Sequence, residues 1–246
     1  LDVERNLQKT IEVLREATGE VEGDLKAHGG SLSAAGTQTL ETLKTKLLEA
    51  ETYFARALDS KELYDALAAV SKAVGDGAGA AHFTKQGNTF LADELEFKGR
   101  LQAFYGNNTA ALGHFHEALR LVPDHAFSLK GAEASAKRVE KAKKDLSKLK
   151  EKAEGEGEAK DWVGYGVALA DLGDLDAAGV AYDKALAADP KNPDALARKG
   201  TAIHAQGKPR EALEWYKRAL EVKPTSMTGR RGVNYATFQI EHPGGR

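Results

Sequence analysis

One 34-residue unit stands twice, back to back, over residues 159–226 of this 246-residue chain. Setting Ala159–Asn192 on Pro193–Ser226 aligns Gly166 with Gly200, Gly173 with Gly207 and Ala178 with Ala212. It also aligns Tyr182 with Tyr216, Ala185 with Ala219 and Pro190 with Pro224. The set returns 67 residues earlier as Gly99, Gly106, Ala111, Phe115, Ala118 and Pro123. A fixed period of this length points to a solenoid of supersecondary units, because each unit is too small to bury its own apolar face.

Within each unit the first half has helical periodicity. A glycine (Gly106, Gly173 or Gly207) then ends it, as where a chain leaves a helix through the left-handed conformation. A second helical run follows and stops about three residues before a proline that cannot continue it. Small residues recur seven apart on this second run (Ala111 and Ala118, Ala178 and Ala185, Ala212 and Ala219), with an aromatic between them. Small residues let helices approach, and the ring fills the next gap.

These features resemble the tetratricopeptide repeat family. The matching residues of the best unit are Trp162, Gly166, Leu169, Gly173, Ala178, Tyr182, Ala185 and Pro190. The second unit has Leu196 in place of the tryptophan and keeps the other glycine, alanine, tyrosine and proline positions. The resemblance covers 92–125 and 159–226. It implies an all-α fold, a right-handed superhelix of helix hairpins, and a non-enzymatic protein–protein interaction scaffold.

Composition narrows the alternatives. The chain carries 35 basic and 37 acidic residues, a net of −2, which argues against a chain-wide nucleic-acid or membrane role. It has no cysteine, so it has no disulfide framework, no thiolate metal site and no cysteine nucleophile. No apolar run approaches the roughly 18 residues of a membrane span, and no signal peptide is visible. A cytoplasmic location is weakly favoured, and the compartment is otherwise unread. The chain starts at Leu1 and reads as a processed or trimmed piece of something longer. Period-two apolar alternation is missing, in keeping with an all-α reading.

In order, residues 1–58 read as a long helical hairpin. Leu7, Ile11, Leu14, Thr18, Val21 and Leu25 form a coiled-coil-like seam over 1–28, softened by Gly19 and Gly23. A second helix, 37–58, follows a short loop. The two helices fold on each other, or the first seam pairs with another chain. Residues 59–91 read as a third helix (61–74) and a glycine-rich joint, Gly75–Ala81, and 47–58 with the third helix would make a degenerate repeat. The joint lacks the ending of a phosphate loop. The first clear unit is 92–125. Residues 126–158 are either a degenerate repeat or one long basic helix, with five more basic than acidic residues over 137–152. The run Glu154–Glu158 reads as a hinge between blocks. Units 159–192 and 193–226 follow, and then a capping helix and tail over 227–246.

No cofactor, metal site or catalytic constellation is expected. His114 and His116 lie two apart on a helix and point to different sides. Trp162 and Trp215 read as packing residues. Asn107-Asn108-Thr109 fits a glycosylation sequon but sits where a turn wants asparagine.

The resemblance implies a concave groove lined by the first helix of each unit. Its expected partner-binding residues are Lys160, Val163 and Val167, then Asp194, Ala197, Arg198, Thr201 and His204, and, if the pattern continues, Arg231 and Tyr235. Such a groove suits a protein or peptide segment with a small apolar anchor and an acid near Arg198 or Arg231. One subset of the family grips chaperone C-termini with lysine at the fifth and asparagine at the ninth position of a unit. Here those positions hold Val163 and Val167, Ala197 and Thr201, or Glu96 and Arg100, so chaperone-tail binding is rejected. The alternative function is a self-assembling subunit of a homo-oligomer or filament, built through the N-terminal helices and the solenoid surface. Nucleic-acid contact through Lys137–Lys152 is disfavoured, because only Phe127 and Trp162 lie near it for stacking.

Overall fold

Three glycines set the local geometry. Gly106, Gly173 and Gly207 have φ of 88°, 96° and 77°, a region open to glycine at no steric cost. Each closes a helix in the same way. The glycine N–H donates to the carbonyl three residues back, and the following N–H donates five residues back. The latter are Asn107 to Gln102 at 2.9 Å, Asp174 to Leu169 at 3.0 Å and Lys208 to Ile203 at 3.3 Å. This pairing satisfies carbonyls that a helix end would leave open. The next helix starts at once. Asn107 Oδ1 accepts from the Ala110 N–H at 2.9 Å, and Asp174 Oδ1 from the Ala177 N–H at 3.0 Å. In the third hairpin Pro209 starts the helix instead, its missing N–H costing nothing there.

A computed structural model describes residues 61–73 and 77–241, together with Glu12, Arg15, Glu16, Gly19, Gly23 and Thr45, each of them helical. The helices are α1 (Lys61–Ala73), α2 (Gly77–Tyr105), α3 (Asn108–Leu121), α4 (Ala126–Glu156) and α5 (Ala159–Asp171). They continue as α6 (Leu175–Ala188), α7 (Pro193–Ala205), α8 (Pro209–Val222) and α9 (Met227–Glu241). Among the described residues there is no strand. The expected 1–58 hairpin and its seam, the 47–58 half of the degenerate repeat and the tail at 242–246 lie outside the described residues.

The chain divides into two compact units, one of 1–94 with 121–123 and the other of 95–120 with 124–246. In the first, α1 buries Leu63, Leu67 and Val70. It lies close to α2, since a Cβ on Gly87 would stand 3.0 Å from Tyr64 Cβ. Here the expected joint is corrected. Residues 77–81 are the first turn and a half of α2, because this alanine-rich run carries helix formers and continues into a segment that buries Phe83 and Gly87.

In the second unit, rings from the second helices are held against glycines of the first helices. A Cβ on Gly99 or Gly131 would meet the Phe115 ring at 2.6 or 2.5 Å. On Gly200 or Gly232 it would meet the Tyr216 ring at 2.8 or 2.4 Å. Tyr182 has such a glycine in Gly166, at 2.6 Å. The second glycine follows the first by 32 residues in the Phe115 and Tyr216 clamps, and 32 residues after Gly166 stands Arg198.

Residues 126–156 form one helix, so of the two forms left open it is the single one that occurs. Where the clear units carry their turn glycine this stretch has Glu140, and the surrounding lysines and alanines are good helix formers. The helix ends at Gly157, φ 67°, whose N–H donates to Ala153 O at 3.1 Å. α5 then runs back antiparallel along α4, with Lys152 Nζ 2.9 Å from Asp161 and Arg138 2.9 Å from Asp171. The expected hinge at 154–158 is therefore corrected to a helix end and a tight turn, and the division between compact units falls at Glu94 and Leu95, within α2. At the far end α9 covers the last hairpin, burying Gly229, Gly232 and Ala236.

Candidate protein-docking cleft

The site is built around the end of α5. Asp171 is buried, and Arg138 of α4 binds its carboxylate through Nε (3.1 Å) and Nη2 (2.9 and 3.2 Å). Asn108 Nδ2 donates to the same carboxylate at 2.7 Å, and Thr109 Oγ1 donates to the Asp171 carbonyl at 3.0 Å. The turn between α2 and α3 is thus tied to α4 and α5 through one carboxylate, which occupies Arg138.

Beside this knot lies a cleft of about 540 Å³ between α4 and α5, reached by Arg198 of α7. Lys141, Asp145 and Leu149 line it from α4, and Gly164 and Val167 from α5. Ala142, Leu149, Val167 and Ala168 are its apolar lining, and Arg138, Lys141 and Arg198 are its cations. Among the described residues neither Arg198 nor Lys141 forms an ion pair. Arg198 stands near Tyr182, whose hydroxyl pKa burial raises to about 12, with the guanidinium opposing the rise.

Of the expected groove residues, Val167 and Arg198 come together in the cleft. Val163 is half-buried on the same helix, outside the lining, and Asp194 is exposed at the start of α7. Lys160 is exposed and paired with Glu158 at 2.6 Å, which raises its pKa. Ala197, Thr201 and His204 are corrected: at 1%, 2% and 2% exposure they offer no surface to a partner. Ala197 packs with Leu196 and Ala219 under Trp215.

The cover over His204 is the chain's own α2. The Tyr105 and Phe104 rings lie 5.2 and 6.3 Å from the imidazole. Phe104 also sits 4.8 Å from the Tyr235 ring, with the Arg231 guanidinium 5.9 Å above it. The distal stretch of the expected groove is therefore filled in cis. Sequence reasoning missed Arg138, Lys141, Asp145 and Leu149, because α4 contributes them only as one unbroken helix. A signal was present, however. The sixth residues of the successive units from 126 onward are Gly131, Gly164, Arg198 and Gly232, and the one departure from glycine lies at the cleft.

His204 Nε2 is 2.8 Å from Gln239 Oε1, and Nδ1 is 3.4 Å from the Tyr216 hydroxyl. A neutral ring satisfies both, donating from Nε2 and accepting at Nδ1. Burial lowers its pKa below the usual 6.5, and the Gln239 bond opposes this weakly. The tyrosines facing it stay protonated: Tyr105 is raised to about 12 by burial, and Tyr216 is raised further. The unfolded chain then binds a proton that the folded one refuses. Stability is full above pH 6.5, falls as pH drops below it, and levels off below the depressed folded pKa. Tm followed from pH 7.5 to 4.5 should fall more steeply for the native chain than for His204→Gln, and parallel curves would sink this assignment.

Both tryptophans are half-buried packing residues. Lys184 Nζ stands 4.2 Å over the Trp162 ring and the Arg218 guanidinium 4.5 Å over that of Trp215. Among the described residues no group of three acidic, histidine or cysteine side chains could hold a metal, and no helix is long and apolar enough to cross a membrane.

A family model described as tetratricopeptide repeat matches residues 169–227. No curated protein matches the chain. Similar solved structures include the Arabidopsis OM64 tetratricopeptide domain, 18% identical, covering 62% of this chain and 99% of that one with a TM-score of 0.33. MamA from Desulfovibrio magneticus RS-1 is 20% identical over 69% of this chain and 98% of its own, with a TM-score of 0.33. YrrB, described as a tetratricopeptide protein with an unusual peptide-binding site, is 22% identical over 80% and 97%, with a TM-score of 0.37. The matched span runs from the end of α5 to the first residue of α9 and contains the left-handed turns at Gly173 and Gly207. With the 34-residue period and the repeated hairpin geometry, it shows that residues 169–227 carry tetratricopeptide repeats.

Proposed function

We propose that this chain docks a segment of a partner protein in the cleft between α4 and α5, rather than along the whole concave face. The carrying observation is that the apolar side chains of Leu149 and Val167 line the same cleft as two cations, Arg198 and Lys141, that have no ion-pair partner among the described residues. A cation left unpaired at an apolar surface favours an occupant that brings a carboxylate and an apolar anchor together. The burial of Ala197, Thr201 and His204 supports the narrower site.

Site-specific photo-crosslinking tests it. A photoreactive residue at Val167 should link a defined partner segment in native extract, and one at Val180, exposed on α6, should not. The segment, then synthesised, should bind Val167→Glu and Arg198→Glu at least ten-fold more weakly than the native chain. Equal binding by these variants, with helicity unchanged by circular dichroism, would remove the cleft from consideration.

A further inference from the structure

The lysines of α4 divide into two groups. Lys137, Lys143 and Lys152 are held by carboxylates at 2.6, 3.1 and 2.9 Å, and Lys150 stands 4.0 Å from Glu154. Lys141, Lys144 and Lys148 are exposed and have no ion pair among the described residues, as has Lys130 further back. The three follow one another at spacings of three and four residues, which puts them on one stripe of the helix. Lys141 itself lines the cleft, and Lys144 and Lys148 continue the stripe along α4 from it.

We infer that the occupant of the cleft is an acidic amphipathic helix lying alongside α4, its apolar stripe on Leu149 and Val167 and its carboxylates on Lys141, Lys144 and Lys148. The inference rests on the docking reading above and adds the conformation and charge of the partner. Three arguments carry it. The rises along α4 from Lys141 to Lys144 and on to Lys148 are about 4.5 and 6 Å, the rises between acids three and four apart on another helix. An extended strand offers same-face side chains about 6.8 Å apart, which does not match. The lysine stripe also spans about 10 Å, so a single terminal carboxylate would leave most of it unanswered. Finally, no aromatic side chain lines the cleft, so bases have nothing to stack on, whereas the apolar lining asks for an apolar stripe beside the acids. Asp145, which has no ion pair among the described residues, also lines the cleft from α4.

The test uses the full chain and a fluorescent peptide with both ends capped. On an alanine background it carries leucine on one stripe and glutamate on the adjacent one at one-turn spacing. Anisotropy is read at 50 and 300 mM salt. This probe should bind at least ten-fold tighter than its glutamine counterpart and than a version broken by two central prolines. Its affinity should fall at least ten-fold in the K141E/K144E/K148E variant and drop with salt, as screened surface pairs do. Binding of the glutamine peptide equal to that of the acidic one, yet lost in Val167→Glu, overturns the acidic class and leaves the cleft standing. Equal binding of the proline-broken peptide overturns the helix. No binding by any probe, with a segment still captured at Val167, overturns the inference alone. Tighter binding of a single-stranded oligonucleotide than of the acidic peptide assigns the stripe to nucleic acid and overturns it as well.

Discussion

Tyr216→Ala is expected to destabilise the chain by about 4 kcal/mol, the range for removing a large buried aromatic side chain. The residue is 0% exposed and packs with Ile203, Ala212 and Ala236. Its neighbours make the loss hard to repair. The ring lies between Gly200 and Gly232, which have no side chain to move into the void. The cavity should persist, and with it the full cost of lost packing. Tyr216→Phe is the control: it keeps the ring and gives up only a hydroxyl whose bond to His204 is long, at 3.4 Å, so it should cost under about 1 kcal/mol. Urea unfolding followed by far-ultraviolet circular dichroism separates the two. If alanine costs no more than phenylalanine, the ring clamp does not hold the repeats together.

Asp171→Ala is the second large effect, expected at about 2–3 kcal/mol. Breaking a buried pair from one side leaves the other group desolvated and unanswered, at about 3–5 kcal/mol when both are fully buried. Arg138 is 46% exposed in its side chain, so water recovers part of that, while buried Asn108 loses its 2.7 Å acceptor outright. Arg138→Ala alone should cost less than Asp171→Ala, since Asn108 still serves the carboxylate. Because one carboxylate binds both groups, the double variant Arg138→Ala with Asp171→Ala should fall well short of the sum of the singles. Additive losses in a denaturation cycle would show that the two residues do not act as a unit.

The cleft shows where sequence reasoning runs out. Its α5 and α7 residues, Val167 and Arg198, follow from counting positions within a unit. Its α4 residues do not, because they depend on whether 126–156 bends at the place where Glu140 replaces the turn glycine. Lys141 and Leu149 face the cleft only because the helix continues and α5 folds back along it. The missing turn glycine was visible in the sequence, but its consequence needs the position of α5 in space.

Helices, turns and ring clamps were within reach of the sequence, since each arises from residues within about one repeat. A left-handed turn needs glycine at Gly106, Gly173 and Gly207, and a ring such as Tyr216 needs glycine where a helix crosses it. Which groove positions remain open is a different kind of fact. His204 is covered by Phe104 and Tyr105, a hundred residues away in the chain, and Asp171 is held by Asn108 and Arg138. A local period says which side of a helix faces inward. Only packing between distant hairpins decides whether that side meets a partner or the protein itself.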